Sequence, residues 1–154
     1  MKTFNEISLA QELIRFPTIK TEDKGIMKYL SKKLSSIGFK CKIIKSKGTG
    51  PKSALNLYAK YGNSNPHINF LGHTDVVANL YNWKISPFRG VVRKGYLNGR
   101  GSQDMKGGIA CFISAINRFI KKKKFKGSIS IIIAADEETT GLGTPAVIEY
   151  LKKR

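Results

Sequence analysis

Three short clusters in the sequence combine residue types that bind metal ions. They are His73-Thr74-Asp75, Asp104, and Asp136-Glu137-Glu138. Imidazole nitrogens and carboxylate oxygens are common zinc ligands. Each cluster alone is more often structural, because a histidine at a strand end usually only hydrogen-bonds and an acidic triplet is usually solvated. The chain has only 10 acidic residues against 28 basic ones, however, so carboxylates gathered at buried-looking strand ends favour a cation site.

The first cluster has the spacing of a metal-bound histidine and its supporting carboxylate. Residues two apart point to the same side of an extended segment, so the side chains of His73 and Asp75 can lie together. The Asp75 carboxylate can then accept a proton from one imidazole nitrogen while the other nitrogen faces a metal. Metal-bound histidines usually have such a partner.

The other two clusters could supply carboxylates to the same site. Asp104 lies between the glycine-containing stretches 99–101 and 105–108, whose small residues let the backbone turn tightly into a helix. A carboxylate at that point could reach two metals. The adjacent Glu137 and Glu138 cannot point the same way in an extended geometry. One of them could therefore bind metal while the other faces the substrate as a general base.

The spacing of apolar residues predicts the elements that must position these clusters. Three- and four-residue periodicity predicts helices, and alternating or continuous apolar runs predict strands. Helices are expected at 7–16, 22–37, 107–120 and 144–151, strands at 39–44, 54–61, 67–71 and 128–135, and a hairpin at 91–98. The first two strands should pair with each other. This order predicts an α/β fold with a mixed sheet flanked by helices, in which functional groups collect at strand ends.

The composition limits the class of protein. The chain has 154 residues, of which 41% are hydrophobic, and a net charge of +18, which suits one folded domain. No apolar run approaches the roughly 18 residues of a membrane span, and residues 1–16 lack the apolar segment of a signal peptide. We therefore expect a soluble, cytoplasmic protein. Cys41 and Cys111 lack CxxC spacing and are expected to be free thiols without a functional role.

The basic residues give no sign of a dedicated nucleic-acid site. The lysines are scattered along the chain, with one dense run at 121–124 that follows a predicted helix and complements the negative end of its dipole. A scattered pattern favours a solvated basic surface. Nucleic acid is therefore an unlikely partner beyond non-specific attraction at low salt.

Several motifs occur together in the order seen in one known family. In sequence order they are Phe70-Leu71-Gly72-His73-Thr74-Asp75-Val76-Val77, Trp83 with Ser86-Pro87-Phe88, Gly99-Arg100-Gly101-Ser102-Gln103-Asp104-Met105-Lys106-Gly107-Gly108, and Asp136-Glu137-Glu138 followed by Gly143-Thr144. With this combination the chain resembles the M20 metallopeptidases over essentially its whole length. The resemblance implies part of a zinc-dependent exopeptidase-like catalytic domain.

The resemblance also assigns roles to individual residues. It implies that His73 binds one zinc, that Asp104 bridges two zincs and that Glu138 binds the second. Asp75 would orient His73, and Glu137 would be the general base and acid. Two Zn²⁺ ions per complete site are implied, with Co²⁺ as a possible substitute. A cis peptide bond is expected after the bridging aspartate, between Asp104 and Met105.

The activity implied is hydrolysis of a linear amide bond in a small N-acyl amino acid. The stretch at 99–108 leans towards family members that convert N-succinyl-diaminopimelate and water to succinate and diaminopimelate, a step of lysine biosynthesis. Two alternatives stay open at this stage. One is hydrolysis of acetylornithine or another amide by a sibling enzyme, and the other is a non-catalytic basic remnant or interaction module.

The length departs from the family pattern. Family members are more than twice as long, are homodimeric, and carry one more glutamate and one more histidine ligand after the glutamate pair. His67 lies six residues from His73 along one strand, too far to complete the same coordination shell. We therefore expect residues 1–154 to be the N-terminal part of a catalytic domain, without the dimerisation domain or the C-terminal part, and nearly inactive alone. Its sheet should expose an unpaired edge.

Overall fold

The computed structural model describes residues 3–46, 54–78, 81–122 and 125–153. Helices and strands follow one another in the predicted order. They are α1 (Glu6–Ile14), α2 (Ile26–Ser35), β1 (Lys40–Lys45), β2 (Leu55–Tyr61), β3 (His67–His73), β4 (Val91–Arg93), β5 (Tyr96–Asn98), α3 (Lys106–Lys122), β6 (Ser128–Ala134) and α4 (Gly143–Lys152). No helix in these ranges is long and apolar enough to cross a membrane.

Four strands form a mixed sheet in the order β1-β2-β6-β3. β1 and β2 are antiparallel neighbours, which confirms the predicted pairing, and β2 is also antiparallel to β6. β3 runs parallel to β6. β4 and β5 form the predicted hairpin, in which Lys94 and Gly95 both have positive φ values, 53° and 80°. Two positive φ values are what a tight two-residue hairpin turn requires.

Helices cover both faces of this sheet. Leu57 of β2 and Ile131 and Ile133 of β6 are fully buried in one hydrophobic core with residues of α1, α2 and α3. Tyr58 points to the opposite face, where its ring contacts that of Tyr150 on α4 at 6.1 Å between centroids. The period-two alternation of the strands thus gives each face its own helices, and the α/β fold with a flanked mixed sheet is confirmed.

The second helix begins later than predicted. Lys24 and Gly25 have positive φ values, 48° and 89°, which are incompatible with a right-handed helix. The Asp23 carboxylate accepts hydrogen bonds from the backbone N–H groups of Gly25 and Met27 at 2.8 and 3.1 Å, so it caps the helix that starts at Ile26. The start predicted at residue 22 is therefore wrong by four residues.

Two other boundary differences affect the site. β3 extends beyond the predicted end at Leu71 to His73, which makes His73 the last residue of a sheet strand. α3 begins at Lys106 and ends at Lys122, so Lys121 and Lys122 lie in its last turn and not after it, whereas Lys123 and Lys124 lie outside the described residues. Both cysteines are free, as predicted.

Candidate metal centre

The parallel pairing of β3 and β6 brings two of the three clusters together. His73 lies opposite Ala134 in the register, so the segments that follow the two strands leave the sheet at the same edge. A hydrogen bond from the backbone N–H of Glu138 to the Asp75 carboxylate, 2.9 Å long, joins these segments. Strand order alone therefore places His73, Asp75 and the acidic triplet in one region.

The loop before α3 supplies the third cluster. Asp104 Oδ1 lies 3.1 Å from His73 Nε2, and the Asp104 side chain is 71% exposed. A Cβ atom at Gly107 would collide with the carbonyl oxygen of Ser102, so only glycine lets this loop fold so closely onto the start of the helix. The Asp104–Met105 peptide bond is cis, as the family resemblance implied.

Three side chains form a group that could hold a metal ion. His73, Asp104 and Glu138 each offer one ligand atom, and these atoms all lie within 4.8 Å of one another. One imidazole nitrogen and two carboxylate oxygens fit the ligand preferences of zinc. The three residues differ in solvent exposure: His73 is buried, Glu138 is half-buried and Asp104 is exposed. The group therefore opens towards solvent, from which a metal and a substrate could enter.

A cavity of about 380 Å³ adjoins the group. Trp83, Val77 and the loop at 99–104 line it together with Asp104 and Glu138. The Arg100 guanidinium lies 5.6 Å from the centre of the Trp83 ring, a cation–π distance. A larger groove of about 840 Å³ lies along β1 and β2 and contains none of the candidate ligands, so the smaller cavity is the one relevant to this site.

His73 lies between two aspartates, one on each side of its ring. Its Nδ1 is 3.2 Å from the backbone oxygen of Asp75 and 3.6 Å from the carboxylate atom Asp75 Oδ1, while its Nε2 faces Asp104. This is the orientation expected from the spacing of the first cluster. The Asp75 carboxylate, above all, raises the pKa of His73 to about 9, against the opposing effect of burial. A metal would therefore have to displace a proton from His73 near neutral pH.

The acidic triplet lies in a turn, not in the extended geometry we expected. Asp136 has a φ of +67°, so the chain leaves the strand direction there, and 137–140 form a turn. The hydroxyl groups of Thr139 and Thr140 donate to the Asp136 carboxylate, and the N–H of Gly141 donates to its backbone oxygen at 2.7 Å. Burial opposes ionisation of Asp136, but hydrogen bonds to its carboxylate, led by those from Thr139 and Thr140, outweigh it and hold the Asp136 pKa below its usual value.

The two glutamates take different positions within this turn. Glu138 belongs to the three-residue group, whereas Glu137 Oε2 is 3.7 Å from His73 Nε2 and remains exposed. Partial burial and then the nearby Asp104 charge raise the pKa of Glu138. Carboxylates that converge in this way repel one another, and a cation between them would relieve the repulsion.

Sequence reasoning missed two residues that support the site. Lys106 is fully buried, and its Nζ donates to the backbone oxygen of Phe16 at 2.7 Å. Burial lowers the pKa of Lys106 to about 8. Asn56 of β2 accepts from the N–H of Ala135 at 2.9 Å and donates to the oxygen of Ile44 at 3.2 Å. The helix dipole disfavours cations in the first turn of a helix, so a lysine at that position could have drawn attention to Lys106.

His67 is remote from the group, as predicted. Its Nδ1 lies 2.7 Å from the hydroxyl of Ser128 and its Nε2 lies 3.0 Å from that of Ser130, at the start of β3 and β6. Both ring nitrogens are therefore engaged at the opposite end of the strand from His73.

A protein-family model matches the part of the chain that carries the site. The model of Peptidase family M20/M25/M40 matches residues 70–154, more than half of the chain and the part that contains all three clusters. Among curated proteins, the succinyl-diaminopimelate desuccinylase of Pelagibacter ubique (strain HTCC1062) is 49% identical over the whole chain. The enzyme of the same name from Ehrlichia chaffeensis (strain Arkansas) is 42% identical over 94% of the chain.

Solved structures share the fold. Human carnosine dipeptidase 1 matches 97% of this chain with a TM-score of 0.83 at 19% identity, over 35% of its own length. An M20 family metallo-carboxypeptidase from Sulfolobus solfataricus matches 99% of this chain with a TM-score of 0.79 at 23% identity, over 34% of its own length.

The curated relatives are much longer than this chain. The chain spans 41% of the length of the Pelagibacter ubique protein and 39% of that from Ehrlichia chaffeensis.

Proposed function

The chain belongs to Peptidase family M20/M25/M40, and from that premise we propose that it carries part of the catalytic centre of a metal-dependent amide hydrolase. The observation that supports this most is the group formed by His73, Asp104 and Glu138, with Glu137 beside it. The range that the family model matches, residues 70–154, contains all four of these residues.

We assign the metal ligands as follows. His73 would bind one zinc, Glu138 would bind a second, and Asp104 would be a ligand of both. Catalytic zinc ions typically have three protein ligands, whereas this assignment gives each ion two. We therefore propose that residues 1–154 correspond to the N-terminal part of the catalytic domain. The remaining ligands and the dimerisation domain would come from the rest of a longer chain, such as the relatives have.

The chemistry assigned to the chain's own residues is proton transfer. A zinc pair, when bound, supplies polarisation of the amide carbonyl and a lowered pKa of water. Glu137 lies 3.7 Å from His73 Nε2, is exposed and is outside the ligand group, so it is free to face a substrate. It would accept the proton of the attacking water and deliver it to the leaving amine nitrogen. Asp75 would hold His73 with its Nε2 towards the metal.

The proposed substrate is N-succinyl-diaminopimelate, which would yield succinate and diaminopimelate in lysine biosynthesis. This proposal rests on the names of the relatives at 49% and 42% identity. Acetylornithine and other N-acyl amino acids are the alternatives within the family. A cytoplasmic location stays a prediction of the sequence.

A chimera tests this function. The chain replaces the matching 41% of the Pelagibacter ubique protein, and release of a primary amine from N-succinyl-diaminopimelate and N-acetylornithine is measured with added Zn²⁺ or Co²⁺. We expect hydrolysis of the succinyl substrate that a chelator abolishes. Glu137→Gln should lower kcat about 10²–10⁴-fold with little change in KM.

The matched control is Glu149→Gln, which alters an exposed carboxylate on α4 that pairs with surface Lys153 at 2.7 Å, away from the three clusters. It should leave kcat unchanged. A folded, metal-loaded chimera that hydrolyses neither substrate, or a Glu137→Gln variant as active as its parent, would refute the proposed function. A chimera that hydrolyses N-acetylornithine in preference to the succinyl substrate would refute only the proposed substrate and not the proposed reaction.

A further inference from the structure

Lys106 is a buried cation in a place where a cation is costly. Its side chain is 0% exposed, so the ammonium group has lost its hydration shell. It is also the first residue of α3, where the positive end of the helix dipole repels positive charge. Its one protein hydrogen bond in the described structure goes to the backbone oxygen of Phe16 at 2.7 Å. A neutral carbonyl offsets only part of these costs.

The charged group that attracts Lys106 is Asp75. Asp75 is 1% exposed, and its Oδ1 atom is buried without a hydrogen-bond partner in the described part of the chain. A buried carboxylate is costly unless an opposite charge offsets it. The Lys106 ammonium supplies such a charge for the carboxylate whose Oδ1 lies 3.6 Å from His73 Nδ1.

Lys106 also contacts the segments that carry the ligands. Its Cδ lies 3.1 Å from the position that a Cβ would take at Gly101, in the loop that leads to Asp104. Its partner Phe16 begins a segment whose Thr18 accepts from the N–H of Val76 at 3.0 Å and donates to the oxygen of Thr74. Lys106 thus joins the Asp104 loop to the segment that holds residues 74–76.

We propose that Lys106 is a positioning residue of the metal centre, which compensates the charge of Asp75 and fixes the Asp104 loop relative to His73. Lys106 contacts neither metal nor substrate in this account. It acts through Asp75 and through the Phe16 carbonyl. The inference rests on the proposed metal centre and extends it to a residue that gives the ligands their geometry.

Co²⁺ binding by the metal-free chain, followed by the visible absorption of the bound ion, tests this role without any activity. Lys106→Met removes the charge at similar volume, and Lys106→Gln keeps a donor for Phe16. Loss of a residue that supports a ligand typically costs 10–100-fold in metal affinity. We expect at least a tenfold loss for Lys106→Met and a smaller one for Lys106→Gln. The unfolding temperature of the metal-free chain should fall in Lys106→Met, because the substitution leaves the Asp75 charge and the Phe16 carbonyl without their partner, so Co²⁺ affinity is compared at a temperature where both proteins are folded.

Two controls separate this role from a general structural one. Lys122→Met alters an exposed lysine at the other end of α3 and should bind Co²⁺ as the unchanged chain does. In an Asp75→Asn background, Lys106→Met should lower Co²⁺ affinity by less than about threefold more, because the charge through which Lys106 acts is already absent.

Three results would overturn the inference. Co²⁺ affinity of Lys106→Met within twofold of the unchanged chain would show that Lys106 does not serve the site. An equal loss of Co²⁺ affinity on Lys106→Met with Asp75 present and with Asp75→Asn would show that Lys106 does not act through Asp75. A lowered unfolding temperature with unchanged affinity would assign it to folding. Absence of Co²⁺ binding by the unchanged chain would instead refute the metal centre itself.

Discussion

At the scale of single residues, the chemistry depends on one imidazole held between carboxylates. Nδ1 of His73 faces Asp75 and Nε2 faces Asp104 at 3.1 Å. Without a metal, a proton on the ring satisfies both acidic neighbours. In the proposed metal centre a metal and this proton would compete for the same nitrogen, so metal binding should depend on pH.

This competition predicts proton release on metal binding. The pKa of His73 is raised to about 9, so below pH 9 the folded chain carries a proton that the metal must displace. Affinity for Co²⁺ should rise about tenfold per pH unit between pH 7 and 8.5 and level off above 9. Calorimetry at pH 7.5 in buffers of different ionisation enthalpy measures the release, which should be about one proton per ion.

The control for this prediction is His67→Gln, which removes the other histidine far from the group and should leave proton release unchanged. Affinity that is flat across this pH range would contradict the assignment of His73 as a protonated ligand.

Residue identity was the part of the site most open to prediction from the sequence. The types and spacing of His73, Asp75 and the glutamate pair already pointed to metal chemistry. Lys106 escaped notice because its burial depends on tertiary packing between α3, the loop at 99–104 and the segment after α1. Its place in the first turn of a predicted helix was an unusual feature, but that feature alone does not specify burial.

At the scale of elements, the turn after β6 decides where the glutamates lie. Asp136 adopts a positive φ and accepts hydrogen bonds from Thr139, Thr140 and Gly141. These bonds close the turn and direct the Glu138 side chain towards His73. From the sequence we expected an extended segment here, because the β-branched residues up to Ile133 give no sign of where the strand direction changes.

Asp136→Ala should therefore weaken both the fold and the site. The substitution removes two side-chain hydrogen bonds, each worth about 1 kcal/mol, and leaves alanine at a positive φ that it disfavours. We expect a loss of about 2–3 kcal/mol in urea unfolding of the metal-free chain, with weaker Co²⁺ binding. Asp136→Asn tolerates the same φ and keeps an acceptor, so it should lose less.

Asn82→Ala is the matched control for the backbone. Asn82 also has a positive φ, +66°, but lies exposed in the loop before Trp83. Asn82→Ala should show only the loss of stability that comes from placing alanine at a positive φ, and it should leave Co²⁺ affinity unchanged. Wild-type stability in Asp136→Ala would show that the turn does not depend on this carboxylate.

At the scale of the whole molecule, strand order brings the clusters together. β6 lies between β2 and β3, although β3 comes directly after β2 in the sequence. The parallel pairing of β3 with β6 then places His73 beside the segment that carries the glutamates. The sequence predicted the strands and a mixed sheet, but not this order, because pairing between distant strands depends on contacts that no local pattern specifies.

The same order leaves β3 at an edge of the described sheet, as expected. Two apolar side chains of this strand, Ile68 and Leu71, are 52% and 50% exposed. We expect weak self-association through this edge. The net charge of +18 opposes it, so association should strengthen when about 0.5 M salt screens the repulsion.

Sedimentation velocity at low and high salt measures this association. Ile68→Lys should reduce it, because an added charge on an edge strand disfavours pairing. Val92→Lys, an exposed strand residue of the β4–β5 hairpin, should not. Association that decreases as salt is added, or that Ile68→Lys leaves unchanged, would contradict a contact at this edge.

The central claim is that three segments distant in the sequence form one metal site, and zinc titration of the metal-free chain by calorimetry tests it most directly. We predict saturable binding that His73→Ala, Asp104→Ala and Glu138→Gln each weaken at least tenfold, while Glu149→Gln binds as the unchanged chain does. Absence of zinc binding by the unchanged chain, or binding that survives all three substitutions, would contradict the account.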